Sequence, residues 1–217
     1  MEATNRLNPE PRWPAWIAVL AVGGLYTALP SYLLLGPRWL FPGVIVALLV
    51  PTVISHHREH HEFNRVVGFA VTGAVTLGLI VSVTLLIVAL PTHKEAPTDL
   101  LQSAGSLWFT NILVFALWYW RLDAGGPHGR DRRRRHTEGA FLFPQMTIVP
   151  SPKSGARQDE WSPNFADYLF LAFNTSTAFS PTDTPVIARW AKALMMLQSL
   201  ISLTVIALLA GRAVNIL

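Results

Sequence analysis

The hydrophobic pattern of the chain consists of long runs that contain no charged residue. Five runs of 17 to 25 residues together hold 98 of the 217 residues; they are Ile17–Leu35, Trp39–Ser55, Val66–Leu90, Ser103–Trp120 and Ala193–Gly211. A helix of that length rises roughly 25–38 Å, which matches the ~30 Å hydrocarbon core of a bilayer. Because a lone strand in lipid would leave its backbone groups unpaired, each run is predicted to be a membrane-crossing helix.

A sixth apolar stretch is shorter and leads into a polar one. Phe165–Phe173 rises only about 14 Å as a helix, half the depth of a bilayer. The following stretch, Asn174–Asp183, is rich in hydroxyls and contains a proline, which breaks a helix. Two interpretations fit. One is a half-helix followed by an irregular polar segment that lines a wet cavity. The other is a short complete span from about Phe165 to Ser180, whose hydroxyls bond back to the i−4 carbonyls.

We therefore predict an all-α fold: a polytopic integral membrane helical bundle of six membrane segments with a short irregular or re-entrant fifth. A cytoplasmic tail, residues 1–13, precedes a single membrane domain, residues 14–217. The spans are predicted at about 17–35, 39–55, 66–90, 103–120, 165–180 and 190–212, and a basic cytoplasmic loop at 121–164. Within this loop, the apolar stretch Phe141–Met146 is predicted to pack on the bundle as an interfacial patch.

Composition excludes several classes of protein. Hydrophobic residues make up 51% and charged residues 14% of the chain, whereas a soluble domain carries about 25% charged residues. The absence of cysteine rules out a disulfide framework, a thiolate metal site and a cysteine nucleophile. No pattern pairs a nucleophile with a positioned base, so we expect neither an enzyme nor a cofactor.

The basic residues predict an orientation. Twelve of them lie in the N-terminal tail, in the connection between the second and third spans or in the long loop, against two, Arg38 and Lys94, on the other side of the first four spans. By the positive-inside rule, the N-terminus and the long loop are cytoplasmic in a multi-pass protein of the plasma (cytoplasmic) membrane, which in a bacterium is the inner membrane. The arginines of Arg130–Arg135 are expected to contact anionic lipid headgroups of the bilayer rather than nucleic acid.

A histidine cluster, His56–Glu62, has the spacing of a metal site. Two pairs of histidines stand four residues apart, one helical turn. The sequence does not identify a third metal ligand, however, and the positive charge of Arg58 disfavours a bound cation. We interpret the cluster as a solvated polar loop and predict no metal.

Two further features have structural interpretations. Ala70, Ala74 and Gly78 form an i, i+4, i+8 stripe that lets another helix approach closely, within a protomer or between protomers. Arg121 and Asp123, at the end of the fourth span, are expected to anchor it at the membrane interface.

The C-terminal part resembles a known family of channels. Asp167–Leu208 has an aromatic start, a threonine-rich run, an aspartate, a Pro-x-x-x-Arg step (Pro185 and Arg189) and a long apolar helix. In this order it is similar to the pore helix, filter and inner helix of the two-helix potassium channels. That family's Thr-Val-Gly-Tyr-Gly-Asp filter would fall on Thr177–Asp183, which is one residue longer and has no glycine. The resemblance implies a cation pathway and does not imply potassium selectivity.

Nearly the whole chain resembles a family of uncharacterised actinobacterial polytopic membrane proteins. The shared elements are Leu122–Pro127, Phe141–Met146, Ala178–Thr184 and Arg212–Asn215. This resemblance implies a common membrane fold and no particular activity.

The leading functional hypothesis is an ion pathway in a homo-oligomer. Its candidate residues are Asn174, Thr175, Ser176, Thr177, Ala178, Phe179, Ser180, Pro181, Thr182, Asp183 and Gln198. Thr175, Ser176 and Thr177 would offer hydroxyls or carbonyls to a cation, Asp183 would supply negative charge at the mouth, and Gln198 would steady the segment from the sixth helix.

Two other functions stay open. One is a secondary transporter of a small solute, whose site lies at the helix breaks of Pro30 and Pro51. The other is a non-transporting scaffold subunit that holds a partner through the small-residue stripe. The orientation also bears on the pore hypothesis: potassium-channel pore segments enter from outside, whereas this segment follows a cytoplasmic loop. Arg212 favours a complete crossing and a cytoplasmic C-terminus.

Overall fold

The computed structural model describes residues 10–34, 36–47, 61–89, 96–132, 136, 139–147, 161–179 and 183–213. Within these ranges the fold is all-α, as predicted. The helices are α1 (Trp13–Thr27), α2 (residues 40–47), α3 (His61–Ala89), α4 (Pro97–Leu122), α5 (Gly126–Asp131), α6 (Pro144–Thr147), α7 (Phe165–Ala178) and α8 (Arg189–Ala213). An isolated antiparallel bridge joins Phe141 to Val186.

Three helices in the described part of the chain are long and apolar enough to cross a membrane. The candidate spans are Arg65–Ala89, Arg189–Gly211 and Thr98–Asp131, the last of which also includes the turn and short helix that follow α4. The sequence predicts six membrane segments, and the difference has local causes. α1 is a shorter apolar helix of 15 residues, because the chain turns at Pro30 into a 3-10 turn at Ser31–Leu33. α7 has only 14 residues.

The long helices extend beyond the uncharged runs because their terminal turns tolerate charge. α4 begins at Pro97, which suits the first helical turn, where a backbone N–H has no partner. Asp99 in its first turn and Arg121 in its last turn both complement the helix dipole. The predicted limits of the fourth span, 103 and 120, are therefore too narrow.

Contacts between helices fix their directions. We call the end of the bundle at which α4 finishes the loop end. α3 starts at the loop end, since Gly68 lies against the Arg121 side chain. It reaches the opposite end of the bundle, where the Ser82 hydroxyl donates to the Leu33 carbonyl (3.0 Å). α1 also starts at the loop end, because the Glu10 carboxylate binds the Arg130 side chain (2.8 Å).

α2 runs back toward the loop end beside α1. The Phe41 ring packs on the Tyr26 ring near the end of α1, with centroids 4.2 Å apart. Ile45, one turn further along α2, is buried against Gly23, earlier in α1. α1, α2, α3 and α4 therefore alternate in direction.

The segment after α4 is folded where the sequence predicts a loop from residue 121. α4 continues to Leu122, a 3-10 turn follows at Asp123–Gly125, and α5 then folds back on the end of α4. The reversal requires positive φ angles, including 79° at Gly126. A Cβ at Gly126 would lie 2.7 Å from the Arg121 carbonyl oxygen, so only glycine fits this position without strain.

The apolar stretch within the long connection packs on the bundle, as the sequence predicts. Phe141 is 0% exposed and Phe143 4%. The Phe141 ring contacts the rings of Tyr119 on α4, Tyr168 on α7 and Trp190 on α8. This stretch therefore joins three helices at the loop end.

The small-residue stripe of α3 makes one close contact within the chain. A Cβ at Gly78 would lie 2.7 Å from the Phe41 ring, so glycine permits this approach of α2. Ala70 is exposed, however, and Ala74 is half-buried. Val71, Thr72 and Val75 are the buried residues of α3 at this level. Packing of the whole stripe within the protomer is therefore not observed, because Ala70 faces outward.

Candidate functional site: a half-length helix and its buried polar supports

The candidate pathway begins in α7, whose two ends are both sharply defined. At the start, the Asn164 side chain accepts from the Ala166 N–H (2.8 Å), and the Asp167 carboxylate accepts from the Asn164 N–H (2.8 Å), which is a capping box. At the other end, Phe179 adopts the left-handed conformation (φ 54°, ψ 25°) that terminates many helices. The 14 residues between these ends rise about 21 Å.

α7 and α8 start at the same end of the bundle and run parallel. At the loop end, the Leu142 N–H donates to the Pro185 carbonyl (2.9 Å), and the Ile187 N–H donates to the Ala140 carbonyl (2.8 Å). These two bonds hold the residues before α8 against the apolar stretch that contains Phe141. Further along, the Gln198 amide donates to the Ala172 carbonyl (2.7 Å). Because Val186 and Ile187 lie at the loop end, the chain returns there after α7 and only then enters α8. The described residues of this return segment are Phe179 and 183–188. We call α7 with this return segment the α7 hairpin.

α7 ends about halfway along the bundle. In its last turn, the Ser176 carbonyl accepts from the Ser202 hydroxyl (2.7 Å), which accepts from the indole N–H of Trp108 in α4 (3.0 Å). Trp108 lies fourteen residues before Leu122, about 21 Å along a helix that rises about 39 Å in all. Of the two interpretations of the sequence, the half-helix matches this path of the chain, and a complete span from Phe165 to Ser180 does not.

The helix nevertheless includes part of the stretch predicted to be irregular. Asn174 to Ala178 are helical, so the irregular backbone starts at Phe179. The Thr175 hydroxyl donates to the Leu171 carbonyl (2.8 Å) and the Thr177 hydroxyl to the Phe173 carbonyl (3.0 Å), the i−4 pattern of the complete-span interpretation. These two hydroxyls are thus already used within the helix.

The candidate residues fall into a buried group and an exposed group. Thr175, Ser176 and Gln198 are buried, and Asn174 is half-buried. The exposed group comprises Thr177, Ala178, Phe179 and Asp183. Ser180, Pro181 and Thr182 lie outside the described residues.

Gln198 connects the end of α7 to two other helices. Its side chain, 0% exposed, donates to the Ala172 carbonyl and to the Ser176 hydroxyl (2.8 Å) and accepts from the Tyr119 hydroxyl of α4 (2.5 Å). Asn111 of α4, also 0% exposed, donates to the Gln198 carbonyl (3.2 Å). Gln198 thus holds α7 from α8, the position that the sequence analysis expects.

Sequence reasoning missed the contributions of α4 to this layer. Asn111 and Tyr119 lie in an apolar run, and polar residues in such a run commonly join helices. The amide of Asn111 was therefore an available signal, although its partners on α7 and α8 were not.

The last turn of α7 directs backbone carbonyls toward the middle of the bundle. Two of them already have partners on α8: the Thr175 carbonyl accepts from the Ser199 hydroxyl (3.4 Å) and the Ser176 carbonyl from the Ser202 hydroxyl (2.7 Å). The C-terminal end of a helix carries a partial negative charge, about −0.5 of an elementary charge. This end of α7 therefore favours a cation nearby.

A second polar cluster, at the loop end, is built around Arg130. The Arg130 guanidinium donates to the Glu10 carboxylate (2.8 Å), the Trp120 carbonyl (2.9 Å) and the Asp123 carbonyl (3.0 Å). Its side chain is 1% exposed and stacks over the Tyr168 ring, 5.0 Å from the centroid. Burial raises the pKa of the Glu10 carboxyl, and the charge of Arg130 opposes that rise.

This geometry corrects two expectations. Arg130 is not available to lipid headgroups, because its donors are used inside the protein; Arg132 is exposed, and residues 133–135 lie outside the described part of the chain. The tail predicted at 1–13 is held to the bundle at residues 10–12, since the Arg12 side chain binds the Asp131 carboxylate (2.9 Å) and Glu10 binds Arg130.

Asp123 is a buried acceptor and does not anchor α4 at an interface. Its side chain, 0% exposed, accepts from the Ala140 N–H (2.5 Å) and from the Tyr168 hydroxyl (2.7 Å), and the His136 Nε2 atom is 3.5 Å away. A Cβ at Gly139 would lie 2.8 Å from the carboxylate, so glycine permits this approach. Asp123 therefore ties the first turn of α7 to the end of α4.

Two further sequence candidates are the histidine cluster and the helix break at Pro51. The side chains of His56–Glu62 and the whole of Pro51 lie outside what the structure describes. Among the described residues, no group of three His, Asp or Glu side chains is placed to hold a metal ion.

Comparison with protein-family models, curated proteins and solved structures gives no match to this chain. The family resemblances of the sequence therefore stay predictions.

Proposed function

We propose that the chain is an integral membrane protein that forms a cation pathway as a homo-oligomer, with the α7 hairpin of each copy lining the pathway. The observation that carries this proposal is the path of α7. It starts at the loop end and stops halfway along the bundle, and the chain then returns to the loop end before α8.

The proposed arrangement in the membrane follows from the helix directions. α3, α4 and α8 are long enough to cross and each does so. α1 and α2 run away from the loop end and back beside them, and the α7 hairpin is a re-entrant segment, so this arrangement differs from the six membrane segments that the sequence predicts. With the loop end in the cytoplasm, where the exposed side chains of Arg65 and Arg132 satisfy the positive-inside rule, the C-terminus lies outside. The hairpin then enters from the cytoplasm.

Electrostatics at the end of α7 supports a cation. Half-helices that end at the middle of a membrane place their C-terminal ends and unwound carbonyls beside cations in transport proteins. Here Ala178 and Phe179 occupy that position, and exposed Asp183 adds a carboxylate on the return segment. Thr177 keeps an exposed hydroxyl in the last turn, and its oxygen retains a free lone pair for a cation.

The proposal includes an oligomer because the polar side of the hairpin lies on the surface of a single copy. Thr177 and Asp183 are exposed. Irregular backbone at membrane depth is tolerated only when protein covers it or when it lines a water-filled cavity. Several copies that face their hairpins toward a common axis satisfy this requirement and create the pathway.

Cation flux into liposomes tests the proposal. The purified chain is reconstituted, and potassium and sodium gradients are applied separately. We expect flux in the wild type and at least a tenfold reduction in the double variant Thr177→Val with Asp183→Ala.

The matched control for this experiment is Thr84→Val with Asp99→Ala. Thr84 is also an exposed threonine whose hydroxyl donates to an i−4 carbonyl, and Asp99 is also an exposed aspartate, but both lie away from the hairpin. Absence of flux under every gradient, or an equal loss of flux in both double variants, would contradict the proposal. Saturable uptake stimulated by solute on the opposite side would instead indicate a secondary transporter.

A further inference from the structure

An apolar groove runs along the outer side of α8 beside the α7 hairpin. This open groove has a volume of about 670 Å³, in the range of sites that bind small molecules. One wall is the hairpin, at Phe179 and Val186, and the floor includes Met195, Leu200 and Leu203 of α8. Only 22% of the apolar window of α8 is buried, so this side of the helix faces the surroundings of the protein.

The groove has the length of one leaflet of a bilayer. Its lining residues on α8 extend from Lys192 to Leu203, which are eleven positions apart and differ in height by about 16 Å. Half of a hydrocarbon core of ~30 Å is ~15 Å. Because α8 crosses the bundle from end to end, the groove follows the direction of a lipid acyl chain from the loop end to mid-depth.

Among the described residues that line the groove, only Lys192, at the loop end, is charged. Lys192 is exposed and forms no salt bridge with any residue that the structure describes. Trp190, two residues earlier, is 37% exposed, and tryptophan is enriched at the level of the lipid headgroups. The groove thus combines an apolar slot in the hydrocarbon with an unneutralised cation at the headgroup level.

We infer that this groove binds one anionic phospholipid from the loop-end leaflet. An acyl chain lies between α8 and the hairpin, and the phosphate-containing headgroup contacts Lys192. The thioether of Met195 and the leucines let the walls adapt to a flexible chain. This inference needs the membrane setting of α8 and does not depend on ion conduction.

Native mass spectrometry of the 217-residue chain tests it. The protein, purified in detergent, is incubated with equimolar phosphatidylglycerol and phosphatidylcholine of identical acyl chains, and the bound lipid is counted. We expect the wild type to retain phosphatidylglycerol preferentially. Lys192→Gln should lower that preference about fivefold, as expected for one lysine near a lipid surface, whereas Arg65→Gln, also at the loop end, should leave it unchanged.

A second pair of variants tests the acyl-chain slot. Ser199→Phe places a ring in the groove and should reduce retention of both lipids, whereas Thr204→Phe, on α8 outside the groove, should not. Equal retention of the two lipids by the wild type, or unchanged binding in both Lys192→Gln and Ser199→Phe, would overturn the inference. If the protein retains no lipid and the groove is buried between two copies in a dimer, the inference is wrong and a second copy of the chain is the occupant.

Discussion

Replacing Tyr168 with phenylalanine removes one hydroxyl from the loop-end cluster and leaves the aromatic ring in place. The ring is 0% exposed and contacts Arg130, Phe141 and Phe143, and these contacts do not need the hydroxyl. The lost interaction is the hydrogen bond to the Asp123 carboxylate, 2.7 Å long. The variant therefore isolates the bond that fixes the first turn of α7.

The expected cost follows from the charge of the acceptor. Hydrogen bonds to charged groups contribute about 1.5–3 kcal/mol, and those between neutral groups about 0.5–1.5 kcal/mol. Tyr119 offers a comparison within the same chain, since its hydroxyl, also in a fully buried residue, donates to the neutral Gln198 amide. We expect Tyr168→Phe to lower the free energy of unfolding by about 2 kcal/mol, roughly twice the effect of Tyr119→Phe.

Equilibrium unfolding in mixed micelles, with SDS as the denaturant and tryptophan fluorescence as the signal, measures both variants. A double-mutant cycle of Tyr168→Phe with Asp123→Asn should give a coupling energy of about 1 kcal/mol or more. If Tyr168→Phe costs less than Tyr119→Phe, or if the coupling energy is zero, then Asp123 does not hold α7 in the way described.

Three further predictions concern the loop end. Gly126→Ala should destabilise the protein by more than about 1 kcal/mol, because Gly126 has a positive φ and lies close to the Arg121 carbonyl. Gly105 has open space around it, so Gly105→Ala should be neutral or stabilising. Thermal unfolding of both variants measures the difference. Arg130→Gln should cost about 3–5 kcal/mol, since it leaves the Glu10 carboxylate buried without its partner, and the additional change Glu10→Gln should recover part of that loss in the same unfolding assay. Because the pKa of Glu10 is raised, the folded protein binds a proton at Glu10 more tightly than the unfolded chain does. Protonation of Glu10 therefore stabilises the fold fully below about pH 4.5, and this stabilisation is lost as the pH rises through the folded-state pKa. A series of melting temperatures against pH should show this loss in the wild type and not in Glu10→Gln.

Sequence reasoning identified the elements whose signal is local. The apolar runs predicted α3, α4 and α8 because a membrane-length helix needs little information beyond the absence of charge. The shortness of Phe165–Phe173 also predicted a half-helix as one of two alternatives. The choice between a half-helix and a complete span needed long-range contacts, such as the hydrogen bond between Ile187 and Ala140. No pattern within either segment predicts that contact.

The charged residues illustrate the opposite case. Arg130 and Asp123 lie in a segment that reads as a polar loop, and local rules assign such residues to solvent or to headgroups. Their burial depends on Glu10, on Tyr168 and on the positive φ at Gly126, all distant in sequence or dictated by backbone geometry. Functional candidates on α7 were found from their hydroxyls, whereas their partner Asn111 became evident only once α4 was placed beside them.

The side of the membrane on which each end of α8 lies tests the central claim most directly. The chain has no cysteine, so single cysteines can be introduced at exposed positions without background: Arg132→Cys at the loop end, Ile187→Cys before α8 and Gly211→Cys near its end. In intact cells, a membrane-impermeant thiol reagent should label position 211 and leave positions 132 and 187 unlabelled until the membrane is opened. Labelling of position 187 from outside, with position 211 protected, would mean that α7 crosses completely and would contradict the re-entrant hairpin.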